Sequence, residues 1–278
     1  MIGAGRLGVR WTIGNVSDRG FEALRLSVWG AYRLFGPGAA YAVCVNTLPP
    51  DEARSKAGDL PDGVLWHDAT GEVPDFLKSH FDGGMAEGCG WKFAPLQCFP
   101  DRFELSLDND CILWDIPEAI RQWLESGDGR TCVAAEDVVA VFGQFGDFCE
   151  PSPRNGGIRG LPPGFDLQSV LRETLDAKAE RDGQRVILTS ELDEQGLQTA
   201  ALQRHGRPLV VTLEEVTICS PFYPHLPHLG RCGAHFVGLN ARHIAWNYYD
   251  RPADDCMTDH WHRHRPALYE NVGLPLPD

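Results

Sequence analysis

Apolar and polar positions follow one another in blocks whose period changes along the chain. Residues 9–13 read as a short strand, and residues 15–20 after it are a polar loop. From Phe21 the apolar residues Leu24, Val28, Ala31, Tyr32 and Phe35 recur at helical spacing, with Gly36-Pro37 as a stop. Residues 40–45 are a second apolar run. Strand, helix and strand in that order predict a parallel pair with a helix packed across it. Residues 63–67 read as a third strand, and a helix is expected through residues 85–99. Residues 103–107 then read as a strand ending in Asp108-Asn109-Asp110, and Pro117 suits the first turn of a helix running to about Leu124.

The second half is patterned less regularly. Residues 151–165 carry too much proline and glycine for a helix and read as loop and short strand. Residues 166–179 predict a helix capped by Asp166, residues 194–203 another, and residues 209–213 a strand. The segment from Arg251 onward, rich in Pro, His and Asp, is expected to wrap the surface. No repeat, low-complexity block or long linker divides the chain. One α/β domain over residues 1–278 is expected, with a core at about 9–240 and a C-terminal surface tail at 241–278.

Composition narrows the function. The chain has 278 residues, 43% hydrophobic and 23% charged, which suffices for a buried core and excludes disordered, collagenous and disulfide-scaffold classes. Lys and Arg number 25 against 39 Asp and Glu, a net charge of −14, so a broad nucleic-acid surface is excluded by repulsion. Any anionic ligand must be held against that background. Nine cysteines are an odd number with no CxxC pair, which gives little support to a disulfide framework or a thiolate zinc knuckle. No transmembrane segment is expected, since runs such as residues 39–45 are too short for a bilayer, and no basic, apolar leader opens the chain. A soluble cytoplasmic protein fits these features.

Short motifs need context. Gly3-Ala4-Gly5-Arg6-Leu7-Gly8 matches the dinucleotide-binding GxGxxG, but only Met1 and Ile2 precede it and a strand follows, so a nicotinamide oxidoreductase has little support. Asp108 and Asp110 are better placed. Residues two apart in extended chain project to one side, and the carboxyl end of a strand in an open α/β sheet is where ligands bind. Two convergent carboxylates repel unless a cation lies between them, and a hard divalent ion with oxygen ligands answers that requirement. Such an ion also bridges a diphosphate and neutralises charge on a departing phosphate. The plainer reading of Asp-Asn-Asp is a polar turn.

Further motifs stand in order with this pair. Trp91-Lys92-Phe93-Ala94-Pro95-Leu96-Gln97-Cys98-Phe99, followed by Leu105-Ser106-Leu107-Asp108-Asn109-Asp110, resembles the helix and DxD strand of GT-A glycosyltransferases, family 8 in particular. Asn155-Gly156-Gly157 resembles that family's Asn-x-Gly, Asp193-Glu194-Gln195-Gly196-Leu197-Gln198 its Asp-Gln-Asp-x-Leu-Asn, and His235-Phe236-Val237-Gly238 its His-x-x-Gly. The resemblance spans about residues 9–240. It implies a GT-A domain, Rossmann-like, with a mixed, mostly parallel sheet flanked by helices, and transfer of a sugar from a UDP- or GDP-linked donor to an unknown acceptor. It implies Mn2+ or Mg2+ held by Asp108, Asp110 and His235, with Asn109 alongside. Asn15, Val16 and Asn46 would meet the base and ribose, and Lys92 the donor sugar or phosphate. Asn155, Gly156 and Gly157 would line a sugar, Gly238 closes its motif, and Asp193, Glu194 and Gln195 would face the reacting centre.

The chain departs from the family at several positions. Gln195 replaces an acidic residue and Gln198 an asparagine. Leu239-Asn240-Ala241-Arg242 stands where the family has Lys-Pro-Trp, which leaves Arg242 or Arg231 to take the lysine's place on the diphosphate. Family 8 enzymes retain anomeric configuration; the residues themselves also admit an inverting reaction with Glu136, Asp137, Asp193 or Glu194 as base. A metal-dependent phosphohydrolase and a non-catalytic nucleotide-sugar binding module would use the same Asp pair. His260-Trp261-His262-Arg263-His264 has the look of a metal tract if extended, and reads more simply as a solvated tail. His225-Leu226-Pro227-His228 is broken by proline and is not a helical zinc pair. Trp29, Trp91 and Trp114 are expected in the core, with Trp246 and Trp261 as an optional sugar-stacking surface.

Overall fold

The first strand organises everything that follows. The structure, a computed structural model, describes residues 5–81, 89–206 and 208–277. Strand β1 (Leu7–Ile13) is buried along almost its whole length. Leu7, Val9, Trp11 and Ile13 enter one core. Arg10, equally buried, donates to the backbone carbonyls of Lys92 at 3.0 Å and Pro95 at 2.5 Å. One strand therefore builds a core on one side and holds a loop on the other.

The elements then run α1 (Asp18–Phe35), β2 (Ala40–Val45), α2 (Pro50–Ala57), β3 (Val64–Asp68), α3 (Asp75–Lys78), β4 (Phe103–Asp108), β5 (Cys111–Leu113), α4 (Glu118–Ser126), β6 (Val133–Ala135), β7 (Asn155–Leu161), α5 (Leu167–Asp182), α6 (Glu191–His205), β8 (Leu209–Val211), β9 (Val216–Ile218), β10 (Gly233–His235) and α7 (Ala253–Val272). A seven-stranded sheet has the order β3-β2-β1-β4-β7-β6-β8. Its strands are parallel except where β7 meets β4 and β6. The order reverses between β1 and β4, which makes the carboxyl ends of those strands the ligand-binding edge of the fold. A second sheet, β5-β10-β9, branches off just beyond β4.

Helix α1 starts where Ser17 accepts from the backbone N–H of Gly20 at 3.1 Å, and Ser17 in turn donates to the Leu239 carbonyl at 2.7 Å. Asp166 caps α5 as expected, accepting from the Ser169 N–H at 2.9 Å. Among the described part of residues 85–99 the expected helix is absent. Cys89–Phe93 is a 3-10 turn, and the chain then runs on irregularly through Pro95 because Arg10 claims the carbonyls of Lys92 and Pro95; residues 85–88 lie outside the described residues, as do Gly3 and Ala4 of the glycine motif. Pro117 sits at the N-cap of α4, one residue before its first turn. The glycine-rich stretch after Pro151 holds the seven-residue β7.

The largest departure is the C-terminal segment. It forms the 20-residue helix α7, not a surface wrap. Met257, Trp261, Leu268, Tyr269 and Val272 are buried in one cluster with Ala23 and Leu26 of α1 and Phe236, a burial worth roughly 1.5–3 kcal/mol for each large side chain. Trp261, at 1% exposure, is core and not a stacking surface, whereas Trp246 is 49% exposed. Among the described residues no helix is long and apolar enough to cross a membrane.

Glu22 of α1 fastens the two helices together. It accepts from Trp261 Nε1 at 2.9 Å, Arg265 Nε at 2.8 Å and Tyr269 Oη at 2.7 Å, with Arg25 at 3.6 Å on its own helix. Burial pushes this carboxyl up, but the three donors outweigh it and hold Glu22 below its ordinary value of 4.5. A depressed carboxyl contributes stability above its unfolded pKa and loses it as pH falls through the folded value. Glu22→Gln is therefore expected to destabilise the protein by about 2 kcal/mol at neutral pH, with the gap from wild type shrinking toward about pH 3. Urea denaturation across that range checks it; parallel curves for the two proteins would contradict the linkage.

Candidate metal centre

Strand β4 delivers Asp108 to the ligand-binding edge, and the Asn109-Asp110 turn carries the chain into β5. Strand β10 pairs antiparallel with β5, placing His235 opposite Cys111, and the Phe236 N–H donates to the Asp110 carbonyl at 2.9 Å. The small sheet thus brings a distant histidine beside both aspartates. His235 Nε2 lies 3.5 Å from Asp108 Oδ2 and 3.3 Å from Asp110 Oδ1. Lys92 Nζ donates to Asp108 Oδ2 at 3.0 Å and stands 3.8 Å from Glu194 Oε2.

Charge in this cluster is concentrated and largely dry. Burial works against ionised Asp108, yet Lys92 and His235 hold its carboxyl well below the usual range. Burial likewise disfavours charged Lys92 and His235; the carboxylates overcome it, raising Lys92 and pushing His235 up to about 9. Glu194 goes the other way. Its burial, with a smaller contribution from Asp108, raises it to about 7 against the pull of Lys92.

The donor set fits a divalent cation. One ligand atom from each of Asp108, Asp110 and His235 lies within 4.8 Å of the others. Asp110 Oδ1 is buried without a hydrogen-bond partner, while Oδ2 accepts from Asn240 Nδ2 at 3.1 Å. An orphaned carboxylate oxygen facing an imidazole and a second carboxylate matches the oxygen-and-nitrogen shell of Mn2+ or Mg2+.

Strand β7 and helix α6 bring up further expected residues. Asn155 Oδ1 accepts from the Gly157 N–H at 2.7 Å, and Asn155 Nδ2 donates to Asp137 Oδ2 at 3.2 Å. The Gly156 N–H donates to Gln195 Oε1 at 3.3 Å, and Gln195 Nε2 donates to the Val141 carbonyl at 3.1 Å. Gln198 donates to Glu194 and accepts from Arg159, extending the network under Lys92. Asp193 stands apart. Its oxygens accept from the backbone of Gln144 and Thr189, both at 2.8 Å, and from the Thr189 hydroxyl, so it braces the start of α6 and does not face the cluster. Asn109 also turns inward, donating to the Gly20 carbonyl at 3.1 Å and to Asn240 Oδ1 at 2.6 Å.

Beyond the end of β1, Asn15 and Val16 line a cavity of about 650 Å³ with Arg19, Lys56, Arg242 and His262. Asn46, after β2, is 3% exposed with an unpartnered Nδ2. Gly238 turns the chain at φ +90°, ahead of Asn240 and Arg242. Arg242 reaches the cavity; Arg231 does not, being exposed and paired with Glu215 at 3.4 Å. Asn240, Arg10 and Arg159 were not marked by the sequence. The first lies in the stretch that departs from the family motif, Arg10 sits inside a run that reads simply as strand, and Arg159 in one that reads as loop and short strand.

No family model and no curated protein sequence matches the chain. Solved structures do. Mouse xyloside xylosyltransferase 1, in its apo form, superposes with a TM-score of 0.54 at 14% identity, over 84% of this chain and 98% of that one. The galactosyltransferase LgtC, in complex with donor and acceptor sugar analogs, gives 0.56 at 13% identity over 98% of each chain. The fold is GT-A. In this GT-A fold the Asp108–Asp110 pair occupies the edge where β1 and β4 diverge.

Gly157 is where the cluster tolerates no side chain. A Cβ there would lie 2.3 Å from His235 Cε1 and 2.5 Å from its Nδ1. Gly157→Ala is expected to push the imidazole out of line and weaken Mn2+ binding by about tenfold or more while the fold survives. Calorimetric Mn2+ titration alongside thermal unfolding checks this; unchanged affinity in a folded variant would remove His235 from the ligand set.

Proposed function

We propose that this chain is a metal-dependent glycosyltransferase that takes a sugar from a nucleoside-diphosphate sugar. The observation that carries the reading is the largely buried Asp108–Asp110–His235 cluster at the switch edge, with Lys92 on one side and the Asn15 cavity near the end of the neighbouring strand. In this reading Asp108, Asp110 and His235 hold Mn2+ or Mg2+, which when bound neutralises charge on the diphosphate leaving group. UDP and GDP are both admissible donors. The rest of the chemistry belongs to the protein's own residues.

Asn15, Val16 and Asn46 would meet the base and ribose, and Arg19, Lys56 and Arg242 line the same cavity as cations for the phosphates. Arg242 takes the place of the family's lysine. Lys92, kept charged by Asp108 and Glu194, faces the sugar and its departing oxygen and stabilises charge that grows there. Gly157 leaves room for the His235 imidazole and Gly156 for the Lys92 ammonium, while Asn155 and Gln195 fix that backbone, which lines the sugar in this reading, through the hydrogen bonds described above. Glu194, poised at about 7, can exchange a proton with an acceptor hydroxyl at neutral pH. Asp193 has no such part. The free thiols of the eight cysteines other than Cys89 suit a reducing compartment such as the cytoplasm.

Calorimetric titration with UDP, GDP and their sugars, with and without Mn2+ or Mg2+, tests the reading. Nucleotide binding is expected only with metal and is expected to fall by at least about tenfold in Asp110→Asn. Sugar release from the bound donor should follow, detected by mass spectrometry. Failure of every nucleotide to bind in any metal condition would refute the site. Binding without turnover of any donor would favour a nucleotide-sugar binding module, and release of inorganic phosphate would favour a phosphohydrolase.

A further inference from the structure

A second cluster of metal-binding side chains lies on the far side of His235. Helix α7 carries His260 and His264 four residues apart, which places them on one face of the helix. Their ring centroids are 4.6 Å apart, and the Phe236 ring packs against both. Cys219 faces them from the end of β9, its Sγ 3.3 Å from His260 Nε2. One ligand atom from each of the three residues lies within 4.8 Å of the others.

The chemistry of this set differs from that of the aspartate cluster. It offers one sulfur and two imidazoles and no carboxylate, a combination that selects zinc-class ions over Mg2+ or Mn2+. With Zn–S of about 2.3 Å and Zn–N of about 2.0 Å, a tetrahedral site has an S···N edge of about 3.5 Å, so the Sγ to Nε2 spacing requires almost no movement. His264 Nε2 lies 3.1 Å from the Pro227 carbonyl oxygen. A carbonyl only accepts, so Nε2 carries the proton and Nδ1 the lone pair, the backbone-anchored tautomer usual for a metal-bound histidine. Burial keeps the His260 imidazole neutral as well. A cavity of about 430 Å³, lined by His260, Cys256, Pro221 and Pro227, opens onto the cluster and gives solvent a route in.

We propose that Cys219, His260 and His264 bind one zinc-class divalent ion, with a water from the adjoining cavity as fourth ligand, in a site distinct from the Asp108–Asp110–His235 centre. Binding replaces the Cys219 S–H bond with an S–metal bond and releases that proton to solvent. The site acts as a brace. The Cys219 N–H donates to the His235 carbonyl at 2.7 Å, so fixing Cys219 to α7 also fixes the strand end that presents His235.

The test uses the full-length protein stripped of metal with a chelator and titrated with Co2+. One tightly bound equivalent is expected to give a thiolate-to-cobalt charge-transfer band with tetrahedral visible bands, both displaced by Zn2+. Cys219→Ser is expected to abolish the charge-transfer band. His264→Gln, at a partly exposed position, is expected to keep the fold and weaken Co2+ binding by about tenfold or more. Cys256→Ser and Asp110→Asn are expected to leave the band in place, which separates this ion from other thiols and from the oxygen-rich centre. Absence of the band in wild type, its survival in Cys219→Ser, or unchanged Co2+ affinity in folded His264→Gln would overturn the proposal.

Discussion

Two convergent carboxylates, Asp110 buried and Asp108 partly so, that must not face each other unpaired set the terms for this structure. Asp108 ends β4 and Asp110 lies in the turn that follows, which brings both carboxylates beside His235, and their repulsion in a poorly solvated site costs more than any single hydrogen bond returns. Every neighbouring element supplies an answer to that cost. The 3-10 turn brings Lys92, β10 brings His235, and the loop after Gly238 brings Asn240. With only protein present, a raised His235 and a raised Lys92 serve as the counter-cations. A divalent ion is the more compact answer to the same repulsion, and it would claim the orphaned Oδ1 of Asp110.

The supporting architecture is understandable in those terms. Lys92 is in place because Arg10, itself fully buried, donates to the carbonyls of Lys92 and Pro95 and holds the turn against β1. His235 is in place because β10 is paired on both sides, antiparallel to β5 and parallel to β9. The polar chain from Trp11 Nε1 to Ser27 Oγ at 2.8 Å, and from Ser27 to the Cys111 carbonyl, anchors β5 to α1. Helix α7 closes this assembly through Glu22 and Phe236. The small sheet matters most to this arrangement, since it is short, lies outside the main sheet and carries His235.

Much of this could be read in the sequence, and the failures have specific causes. Strands β1, β2 and β4 and helices α1, α5 and α6 carry clear periodicity and caps, and the Asp-Asn-Asp turn falls where the topology needs it. Helix α7 was invisible because Pro252 precedes it, Pro266 lies within it, and its buried residues are separated by charged and histidine positions. Reading His260 to His264 as extended chain put His262 with its neighbours two away. The helix instead pairs His260 with His264 and turns His262 toward the other cavity. The three-residue strands β5, β9 and β10 are too short to leave a pattern at all. Asp193 was misplaced for a different reason: its motif position matched, but the third position of a helix offers nearby N–H groups, and Thr189 and Gln144 took both of its oxygens.

The net charge of −14 looks opposed to a diphosphate ligand only if charge is averaged over the surface. Screening confines an exposed charge to about 8 Å at physiological ionic strength, so a ligand feels its immediate walls. Those walls carry Arg19, Lys56 and Arg242 around the Asn15 cavity, with Asp18 and an Arg19-paired Asp254 among them, and Lys92 beside the aspartates. Part of the acidic surplus is spent inside, where Asp108 and Asp110 create demand for a cation and Glu194 holds Lys92 in its charged form. An acidic protein can therefore favour one small anion at one place, provided its cations are gathered along the walls that receive it.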